Sequence, residues 1–456
     1  MNQNFRAQNP PYRVLSGRDD RRCSVIIALP LQRFRLNLRT RTKLFCLACS
    51  IALAGFVAGC GTNTGSTQNQ VTGLTKRLLL TNQQAGIANL MDASKDTLAK
   101  AFAAGSGATK MVTAGGITVI ADSATNSIAI FDNTQEKITV APATSAIPFD
   151  IAISPDGKTA WAAMRNPGFV EAFDTTSGNV LATIPVPNAV RLVMSPQGSR
   201  LLVFTDNPQL LPSPNANAFF IINTANLSNS TTATAVAESP GDQPFTGIFN
   251  GSETKAFILN CGSECGGTAA SVVPADFSAA PALSTPIPVA GATVGLISGQ
   301  SLFVAGTPVT VPAGVNCSSL GAATCGTLQV INTGSLTAAA PLAITDGLHL
   351  KMALTSNNRL YVGASGCTTV ATGTNQVRGC LSIFDTATQA LAFPSESVFR
   401  QNFDVTGLQQ ISARNVIYVA QGGELDFFDI TTNAVSTSIT QIDIQGAAWD
   451  VLQIDP

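Results

Sequence analysis

The sequence predicts an all-β chain that folds as a β-propeller of four-stranded antiparallel blades, and three observations support this prediction. Short apolar strands ending on Asp or Asn recur through the chain, about 41 to 56 residues apart. Turn-forming residues separate these strands from their neighbours. Four short strands in roughly 45 residues match the size of one propeller blade. Finally, the last strand lacks a partner after it, and the first unit lacks a strand before it.

One unit shows the local pattern clearly. Alternating Ile151 and Ile153 lead into Ser154-Pro155-Asp156-Gly157, and a second apolar strand follows at 160–163. Proline suits the second position of a type I turn, and glycine suits the left-handed position that follows it. These residues therefore predict a hairpin. An isolated hairpin is marginal in water, so further strands must pack on it.

Eight such units can be counted. Their closing strands lie at 87–98, 128–138, 170–180, 219–229, 270–280, 328–336, 381–391 and 425–435. We expect the strand at 447–454 to become the innermost strand of blade 1 and so to close the ring. Closure removes the exposed sheet edges.

Residues 147–205 carry the clearest copy of the repeat. Here "ISPDGKTAWAA" and "VEAFDTTSGNVLATIPV" are followed by "LVMSPQGSRLLVF", in which Ser195 takes the place of Ser154. This stretch resembles the YVTN-type repeat of lactonase-like and WD40-like propellers. The resemblance implies a propeller, and because these families are commonly seven-bladed, seven is the alternative to the eight blades counted.

The first 59 residues read as a targeting segment. Arg39, Arg41 and Lys43 precede the apolar residues 44–59, a stretch short of the ~20 residues that span a bilayer. Ala58 and Gly59 stand directly before Cys60, and this segment resembles a bacterial lipoprotein signal peptide. The resemblance implies cleavage before Cys60 and a diacylglycerol on its thiol. The alternative is an ordinary signal peptide with an incidental cysteine.

The predicted organisation follows from that leader. Residues 1–59 are the leader, 60–73 are the lipidated cysteine and a flexible tether, and 74–456 are one propeller. Gly61 stands where an Asp would indicate inner-membrane retention in the enterobacterial pattern. We therefore expect an exported protein anchored to the outer membrane.

Charge excludes one class of partner. The leader holds ten Lys and Arg against two Asp and Glu, so the rest of the chain has a formal charge near −9. No basic patch remains, which argues against nucleic acid as a partner. We expect a monomer that binds the membrane through its lipid, with a protein or small-molecule ligand.

Six cysteines outside the leader form three local pairs: Cys261 with Cys265, Cys317 with Cys325, and Cys367 with Cys380. An even number, close spacing and an exported chain favour disulfides. Zinc is the alternative. A four-ligand site prefers two close pairs of Cys or His, and the chain has one histidine, His349. No metal and no cofactor is predicted.

The three pairs fall in connections between the second and third strands of blades 5 to 7. These connections, and that of blade 4, are long, whereas those of blades 1, 2, 3 and 8 are short. Long loops on a rigid scaffold commonly carry binding sites. The alternative interpretation is drift, because exposed loops accept insertions at little cost.

A second set of candidates lies on the predicted innermost strands. Four residues before the turn position stand Asp450, Lys110, Asp150 and Arg191 in blades 1 to 4, and Thr246, Val294, Lys351 and Leu408 in blades 5 to 8. The alternating charges predict salt bridges between blades near the channel mouth. His349, two residues before Lys351, is expected on the same strand face. Either these residues bind a polar ligand or they form a structural charge ring.

Catalysis has little support in the sequence. No nucleophile motif such as G-x-S-x-G accompanies His349. A cation-dependent lactonase would need a carboxylate cluster, to which Asp150, Asp450 and Asp346 could contribute. Two Trp and three Tyr argue against a quinoprotein dehydrogenase or a lectin. The predicted function is a non-catalytic binding or scaffolding platform, with a hydrolase of a small lactone or ester as the alternative.

The lipidation prediction has a direct test. Cys60→Ala should release the protein from sedimented membranes, because the thiol that carries the diacylglycerol is lost. Cys49→Ala, within the leader, is the matched control and should leave the protein in the membrane pellet. Sedimentation of the Cys60→Ala protein with membranes, as measured by immunoblot of the fractions, would refute the prediction.

Overall fold

The computed structural model describes residues 70–455 apart from 209–210, 212–216, 229, 239–241, 321–322, 369, 372–376, 379, 393–403, 436–440, 443 and 445. The predicted leader and Cys60 lie outside the described residues. Among those described, no helix is long and apolar enough to cross a membrane.

The strands of the first four blades follow one another along the chain. Blade 1 contributes β1 (Arg77–Asn82), β2 (Ile87–Asp92) and β3 (Thr97–Ala103); blade 2 has β4 (Ala108–Ala114), β5 (Ile117–Asp122), β6 (Ser127–Asp132) and β7 (Lys137–Val140); blade 3 has β8 (Asp150–Ile153), β9 (Thr159–Met164), β10 (Phe169–Asp174) and β11 (Val180–Pro185); blade 4 has β12 (Ala189–Met194), β13 (Arg200–Thr205), β14 (Ala218–Asn223) and β15 (Ala233–Ala237).

Blades 5 and 6 each carry one extra short strand. Blade 5 has β16 (Pro244–Phe249), β17 (Lys255–Asn260), β18 (Ser271–Asp276), β19 (Ala282–Leu283) and β20 (Ile287–Pro288); blade 6 has β21 (Val294–Ser298), β22 (Ser301–Gly306), β23 (Gly326–Asn332), β24 (Thr337–Ala338) and β25 (Leu342–Ile344). Short 3₁₀ helices lie at Gly262–Cys265 and Cys317–Leu320.

Blades 7 and 8 are followed by the closing strand. Blade 7 has β26 (Leu348–Leu354), β27 (Arg359–Ser365), β30 (Leu381–Asp385) and β31 (Ala390–Ala392), with a small hairpin of β28 (Val370–Ala371) and β29 (Val377–Arg378) inserted; blade 8 has β32 (Val405–Gln410), β33 (Val416–Gln421), β34 (Glu424–Asp429), β35 (Ala434–Val435) and β36 (Gln441–Ile442); the last strand is β37 (Ala448–Gln453).

The ring closes as the sequence predicts. β37 pairs antiparallel with β1, with Leu452 opposite Leu79 and Val451 opposite Leu80, and so forms the innermost strand of blade 1. Each innermost strand contacts the innermost strand of the next blade, including β32 with β37 and β37 with β4. Eight blades are therefore confirmed, and β37 covers the edge that β1 would otherwise present to the channel.

The core lies between neighbouring blades, since the second and third strands of each blade are buried almost throughout. β9 and β10 illustrate this: all of their residues are buried except Thr159 at the start of β9 and Phe169 and Asp174 at the ends of β10. Between blades 3 and 4, Trp161 packs with apolar residues of both blades, including Leu201 and Phe220. The outer strand β11 alternates exposed and buried residues, because one of its faces meets water.

Ion pairs reinforce the closure of the ring on the face that carries the turns between first and second strands. Arg414 of blade 8 binds both carboxylate oxygens of Asp96 in blade 1, at 2.5 and 2.8 Å, and the Tyr418 hydroxyl donates to the same carboxylate. Arg77 of β1 binds Asp455, which follows β37. Ring closure thus rests on ion pairs as well as on strand pairing.

Polar contacts of one carboxylate nearby hold the segment that precedes β1. Glu136 of blade 2, fully buried, accepts hydrogen bonds from the backbone N–H of Thr72 at 2.6 Å and from its hydroxyl at 2.7 Å. The same carboxylate pairs with Arg77 at 3.2 Å. Blades 1 and 2 and the segment before β1 therefore share one carboxylate.

Removing Arg414 should weaken the closure. Arg414→Ala leaves the largely buried Asp96 carboxylate without its ionic partner, and we expect a loss of about 2 to 3 kcal/mol in the free energy of unfolding. Lys158→Ala is the matched control, since its pair with Asp156 is exposed and should contribute less than about 0.5 kcal/mol. Urea unfolding monitored by circular dichroism measures both. Equal losses of unfolding free energy in the two variants would mean that the ion pair of Arg414 with Asp96 does not stabilise the ring closure.

Candidate functional site

The long loops lie on the face opposite the Ser154–Gly157 turn. In each blade the connection between second and third strands shares a face with the connection from one blade to the next. That connection spans 206–217, 261–270, 307–325 and 366–380 in blades 4 to 7, but 83–86, 123–126, 165–168 and 422–423 in the others. We call this the long-loop face.

Three disulfides staple these loops, as predicted. The Cα–Cα distances are 5.7 Å for Cys261–Cys265, 5.5 Å for Cys317–Cys325 and 5.6 Å for Cys367–Cys380. Among the described residues, no group of three His, Cys, Asp or Glu side chains could hold a metal ion. The cysteine pairs are therefore cross-links within single loops.

Hydrogen bonds also join one stapled loop to the next. Glu264, inside the blade 5 loop, accepts a hydrogen bond at 2.8 Å from the backbone N–H of Thr307, which begins the blade 6 loop. The Thr307 hydroxyl donates at 2.7 Å to the carbonyl of Gly347, which precedes blade 7. There Asp346 accepts from the backbone of Thr368 in the blade 7 loop at 2.8 Å. Hydrogen bonds thus link the described parts of the three loops to one another.

Every innermost strand is irregular where it enters from the long-loop face. In six blades the pairing register shifts at this point, and in blades 3 and 6 Phe149 and Thr293 donate their backbone N–H to a carbonyl already opposite the next residue. These are β-bulges, in which two residues oppose one. A bulge re-aims side chains, so two successive residues of each blade are presented at the channel mouth.

The first bulged residue of each blade forms what we call the rim, which is Trp449, Thr109, Phe149, Val190, Phe245, Thr293, Leu350 and Thr406 in blades 1 to 8. Three rim side chains are large, apolar and exposed: Phe149 (56%), Leu350 (41%) and Trp449 (37%). The rim was not predicted from the sequence. The available signal was a large apolar residue directly before Asp150, Lys351 and Asp450.

The second bulged residue forms what we call the channel ring, which is Asp450, Lys110, Asp150, Arg191, Thr246, Val294, Lys351 and Gly407 in blades 1 to 8. Seven of these positions agree with the sequence alignment of the strands. The eighth was wrong: in blade 8 the position belongs to Gly407 and not to Leu408, because Ile411, and not Ser412, takes the place of Ser154 in the turn after β32.

Asp150 is fully engaged in the channel ring. One carboxylate oxygen accepts from the ammonium of Lys110 and from the backbone of Ile151, and the other accepts from the backbone N–H of Leu192 at 2.8 Å. The Asp150 side chain is 10% exposed and that of Lys110 is 38% exposed. This carboxylate thus joins blades 2, 3 and 4.

Asp450 repeats the arrangement on the other side of Lys110. It accepts from the backbone N–H of Met111 at 2.9 Å and pairs with Lys351 at 2.9 Å. Lys351 belongs to blade 7 and reaches across blade 8 to blade 1. Gly407 lies between them, where an added Cβ would stand 3.1 Å from the Cα of Asp450. The predicted cross-blade salt bridges are thus present, with this longer span unforeseen.

Arg191 differs from the other charged residues of the channel ring. Its guanidinium carbon lies 3.4 Å from the centroid of the Phe245 ring, and the side chain is half-buried. It forms no hydrogen bond or ion pair with any residue the structure describes. Burial lowers the pKa of Arg191 to about 10, while the charges of Asp150 and Asp206 act in the opposite direction. The group remains a cation at neutral pH.

His349 does not join the channel ring. The β-bulge between His349 and Lys351 breaks the two-residue alternation on which the sequence argument depended. The imidazole is fully buried, packed against Gly326, where an added Cβ would lie 2.5 Å from its Cε1. Within the described part of the chain neither ring nitrogen forms a hydrogen bond of regular geometry, although the backbone of Thr345 lies close enough to favour the charged imidazole. Burial lowers the pKa of His349 to about 4.

Two carboxyl groups near the blade 5 loop are perturbed in the other direction. Burial raises the pKa of Glu238 to about 7 although Asn260 donates to it at 3.0 Å, and burial likewise raises the pKa of Glu264 to about 7. A raised carboxyl pKa means that the folded state holds a proton the unfolded chain has lost. Each group therefore reduces stability as pH rises from about 4.5 to 7.

The opposite face has its own concavity, of about 640 Å³, between blades 7, 8 and 1. Its polar side chains are used in holding blades together. Gln410 exchanges hydrogen bonds with Ser356 at 3.0 and 2.8 Å, and Gln453 does the same with Ser412 at 3.0 and 2.7 Å. These polar side chains are therefore less available to a ligand than the guanidinium of Arg191 on the long-loop face.

His349 should impose a pH dependence on stability. Its ordinary pKa is 6.5 and its folded pKa is about 4, so the unfolded state binds the extra proton between these values. Stability is full above pH 6.5 and falls as pH drops toward 4, by at most about 3 kcal/mol. His349→Gln removes this contribution.

The measurement is urea unfolding of both proteins between pH 7.5 and 4.5. The difference between wild type and variant isolates His349, because Glu238 and Glu264 are common to both. That difference should shrink as the pH falls. A difference that stays constant with pH would mean that the folded protein does not depress the histidine pKa.

Comparison with known proteins supports the fold. No family model matches the chain, and no curated protein matches it in sequence. Among solved structures, dihydro-heme d1 dehydrogenase NirN in complex with DHE is similar with a TM-score of 0.61 and 11% identity, covering 84% of this chain and 75% of that one.

Two further structures are similar at lower scores. Hydrazine synthase of Kuenenia stuttgartiensis has a TM-score of 0.51 and 14% identity, with 74% and 96% of the two chains covered. The computationally designed protein Ika8 has a TM-score of 0.52 and 12% identity, with 78% and 97% covered. At these identities the likeness establishes the eight-bladed propeller fold and nothing about activity.

Proposed function

We propose that this protein is a non-catalytic binding platform of the cell envelope, and that its ligand or partner docks on the long-loop face. The observation that carries the proposal is the coincidence of two features on that face. The rim exposes Phe149, Leu350 and Trp449 around the channel mouth, and the linked, disulfide-stapled loops of blades 5 to 7 rise beside it.

The exposed apolar side chains of this face are concentrated. Of the large hydrophobic residues that are most exposed in the described chain, Ile147, Val309 and Leu348 join the three rim residues there. Scattered apolar residues on a surface need no explanation, but a group around one concave mouth is typical of an interaction site. The linked loops of blades 5 to 7 would restrict which ligands can approach this mouth.

Export follows from the cysteines. Three disulfides within single loops are typical of an oxidising compartment outside the cytoplasm. We further propose the lipid anchor at Cys60 and attachment to the outer membrane, on the lipobox-like segment before that residue. The platform would then be held close to a membrane surface, joined to it by residues 60–73.

The geometry gives less support to the alternative of a lactone or ester hydrolase. His349, the candidate general base, is sealed in the core away from the channel ring. Asp150 and Asp450, the candidate cation ligands, are each bound to a lysine and to a backbone N–H. A hydrolase would need other residues than those the sequence suggested.

Substitution of the rim tests the platform. The double variant Phe149→Ser/Trp449→Ser removes two exposed apolar side chains from the long-loop face, and it should lose partners or ligands that co-purify with the wild type from cross-linked envelope fractions. The matched control is Leu98→Ser/Val180→Ser, which changes two exposed apolar residues elsewhere in the propeller.

Quantitative mass spectrometry of the eluates compares the three proteins. Species retained by wild type and control but depleted at least about tenfold in the rim variant support the proposal, since each buried aromatic commonly contributes over 1 kcal/mol to binding. Equal retention by all three proteins would refute a role for this face. Unchanged circular dichroism spectra establish that the variants are folded.

A further inference from the structure

We propose that the channel mouth beside blades 3 to 5 binds the oxyanion of a small molecule, a carboxylate or a phosphate, with Arg191 as the principal contact and the rim holding an apolar part of the same ligand. This inference rests on the proposed binding function of the long-loop face and names its ligand class.

The two carboxylates of the channel ring are already committed. Asp150 and Asp450 each bind one lysine ammonium and one backbone N–H of the following blade. Asp206, the other acid whose charge reaches Arg191, pairs with Arg165. None of the three comes within ion-pair distance of the Arg191 guanidinium in the structure.

Arg191 is therefore a cation held in place without a counter-ion. Phe245 fixes the plane of the guanidinium from one side at 3.4 Å, and the five N–H donors meet no acceptor among the described residues. Stacking on an aromatic ring pre-organises a guanidinium for planar, two-point recognition of an oxyanion. A structural arginine in such a position would normally be paired, as Arg77 and Arg414 are in this protein.

A second donor lies at the next position of the channel ring. Thr246 is half-buried, and its hydroxyl makes no hydrogen bond with any residue the structure describes. It follows Phe245 directly in blade 5, next to blade 4 that supplies Arg191. An oxyanion over Arg191 would thus meet a guanidinium and a hydroxyl, a common donor set for carboxylate and phosphate groups.

The charge balance of the channel ring also favours an anion. It contains three cations, Lys110, Arg191 and Lys351, against two carboxylates, although residues 60–456 as a whole are acidic. Both lysine side chains remain about one-third exposed toward the channel. A local positive excess inside a narrow mouth concentrates anions there.

The rim supplies the apolar half of the site. Phe149 precedes Asp150 and is 56% exposed, with the guanidinium of Arg165 5.7 Å from its ring. Blade 3, which carries Phe149, is next to blade 4, which carries Arg191. An aromatic or aliphatic body could therefore lie on Phe149 while its anionic group reaches Arg191. Such a pairing of an apolar lining with a few placed polar groups is usual in ligand sites.

The test uses three naphthalene probes that differ in their polar group: 1-naphthoate, 1-naphthyl phosphate and the neutral 1-naphthamide. Each is titrated by isothermal calorimetry into the folded wild type and into Arg191→Met, which keeps the aliphatic stem over Phe245 and loses the charge. Lys158→Met removes a cation from the opposite face and is the matched control.

At least one anionic probe should bind wild type and Lys158→Met alike, and bind Arg191→Met roughly ten- to a hundredfold more weakly, as expected for charge-assisted hydrogen bonds. Naphthamide should bind all three proteins equally and weakly. The ratio between naphthoate and naphthyl phosphate then distinguishes a carboxylate site from a phosphate site.

Three results would overturn the inference: no binding of either anion to wild type at millimolar concentration, equal affinity of wild type and Arg191→Met, or naphthamide binding as tightly as the anions. These outcomes are separable from failure of the platform itself. If the rim variant loses its co-purifying species while Arg191→Met binds the anions as wild type does, the long-loop face binds something, but not through an oxyanion.

Discussion

The antiparallel pairing of β37 with β1 is the interaction on which the rest of this structure depends. It joins the last strand of the chain to the first and removes the edges that an open row of blades would expose. It also completes the channel mouth, since Asp450 and Trp449 both lie on β37 and have no substitute elsewhere in blade 1. The channel mouth is therefore complete only when β37 closes the ring.

The β-bulges at the start of the innermost strands explain why the mouth has two layers. A regular strand would send successive side chains to opposite faces. Because two residues oppose one at each bulge, Phe149, Leu350 and Trp449 of the rim meet solvent at the entrance while the residue after each lines the channel. Apolar and charged groups can therefore occupy adjacent positions without either being buried beside the other.

The charged residues of the channel ring differ in whether the protein itself supplies them with partners. Asp150 and Asp450 are nearly buried and each satisfies a lysine and a backbone N–H, so their removal would leave several donors without partners. They hold blades together. Arg191 has no such partner, and burial lowers its pKa to about 10, so the protein contributes little to stabilising its charge. That imbalance is the reason for proposing Arg191 as the contact for an anion.

The sequence by itself determined the blade count, the closing strand, the three cysteine pairs and seven of the eight channel-ring positions, because each depends on spacing within a repeat. It placed His349 in the channel wrongly, since a bulge beside that residue cannot be read from alternation. It also missed the rim. Only the tertiary structure decided which lysine pairs with which aspartate, because Lys351 of blade 7 reaches Asp450 of blade 1 across Gly407 of blade 8. The physical reason is that repeat spacing fixes the register within a blade, whereas contacts between blades depend on how eight blades close around a common axis.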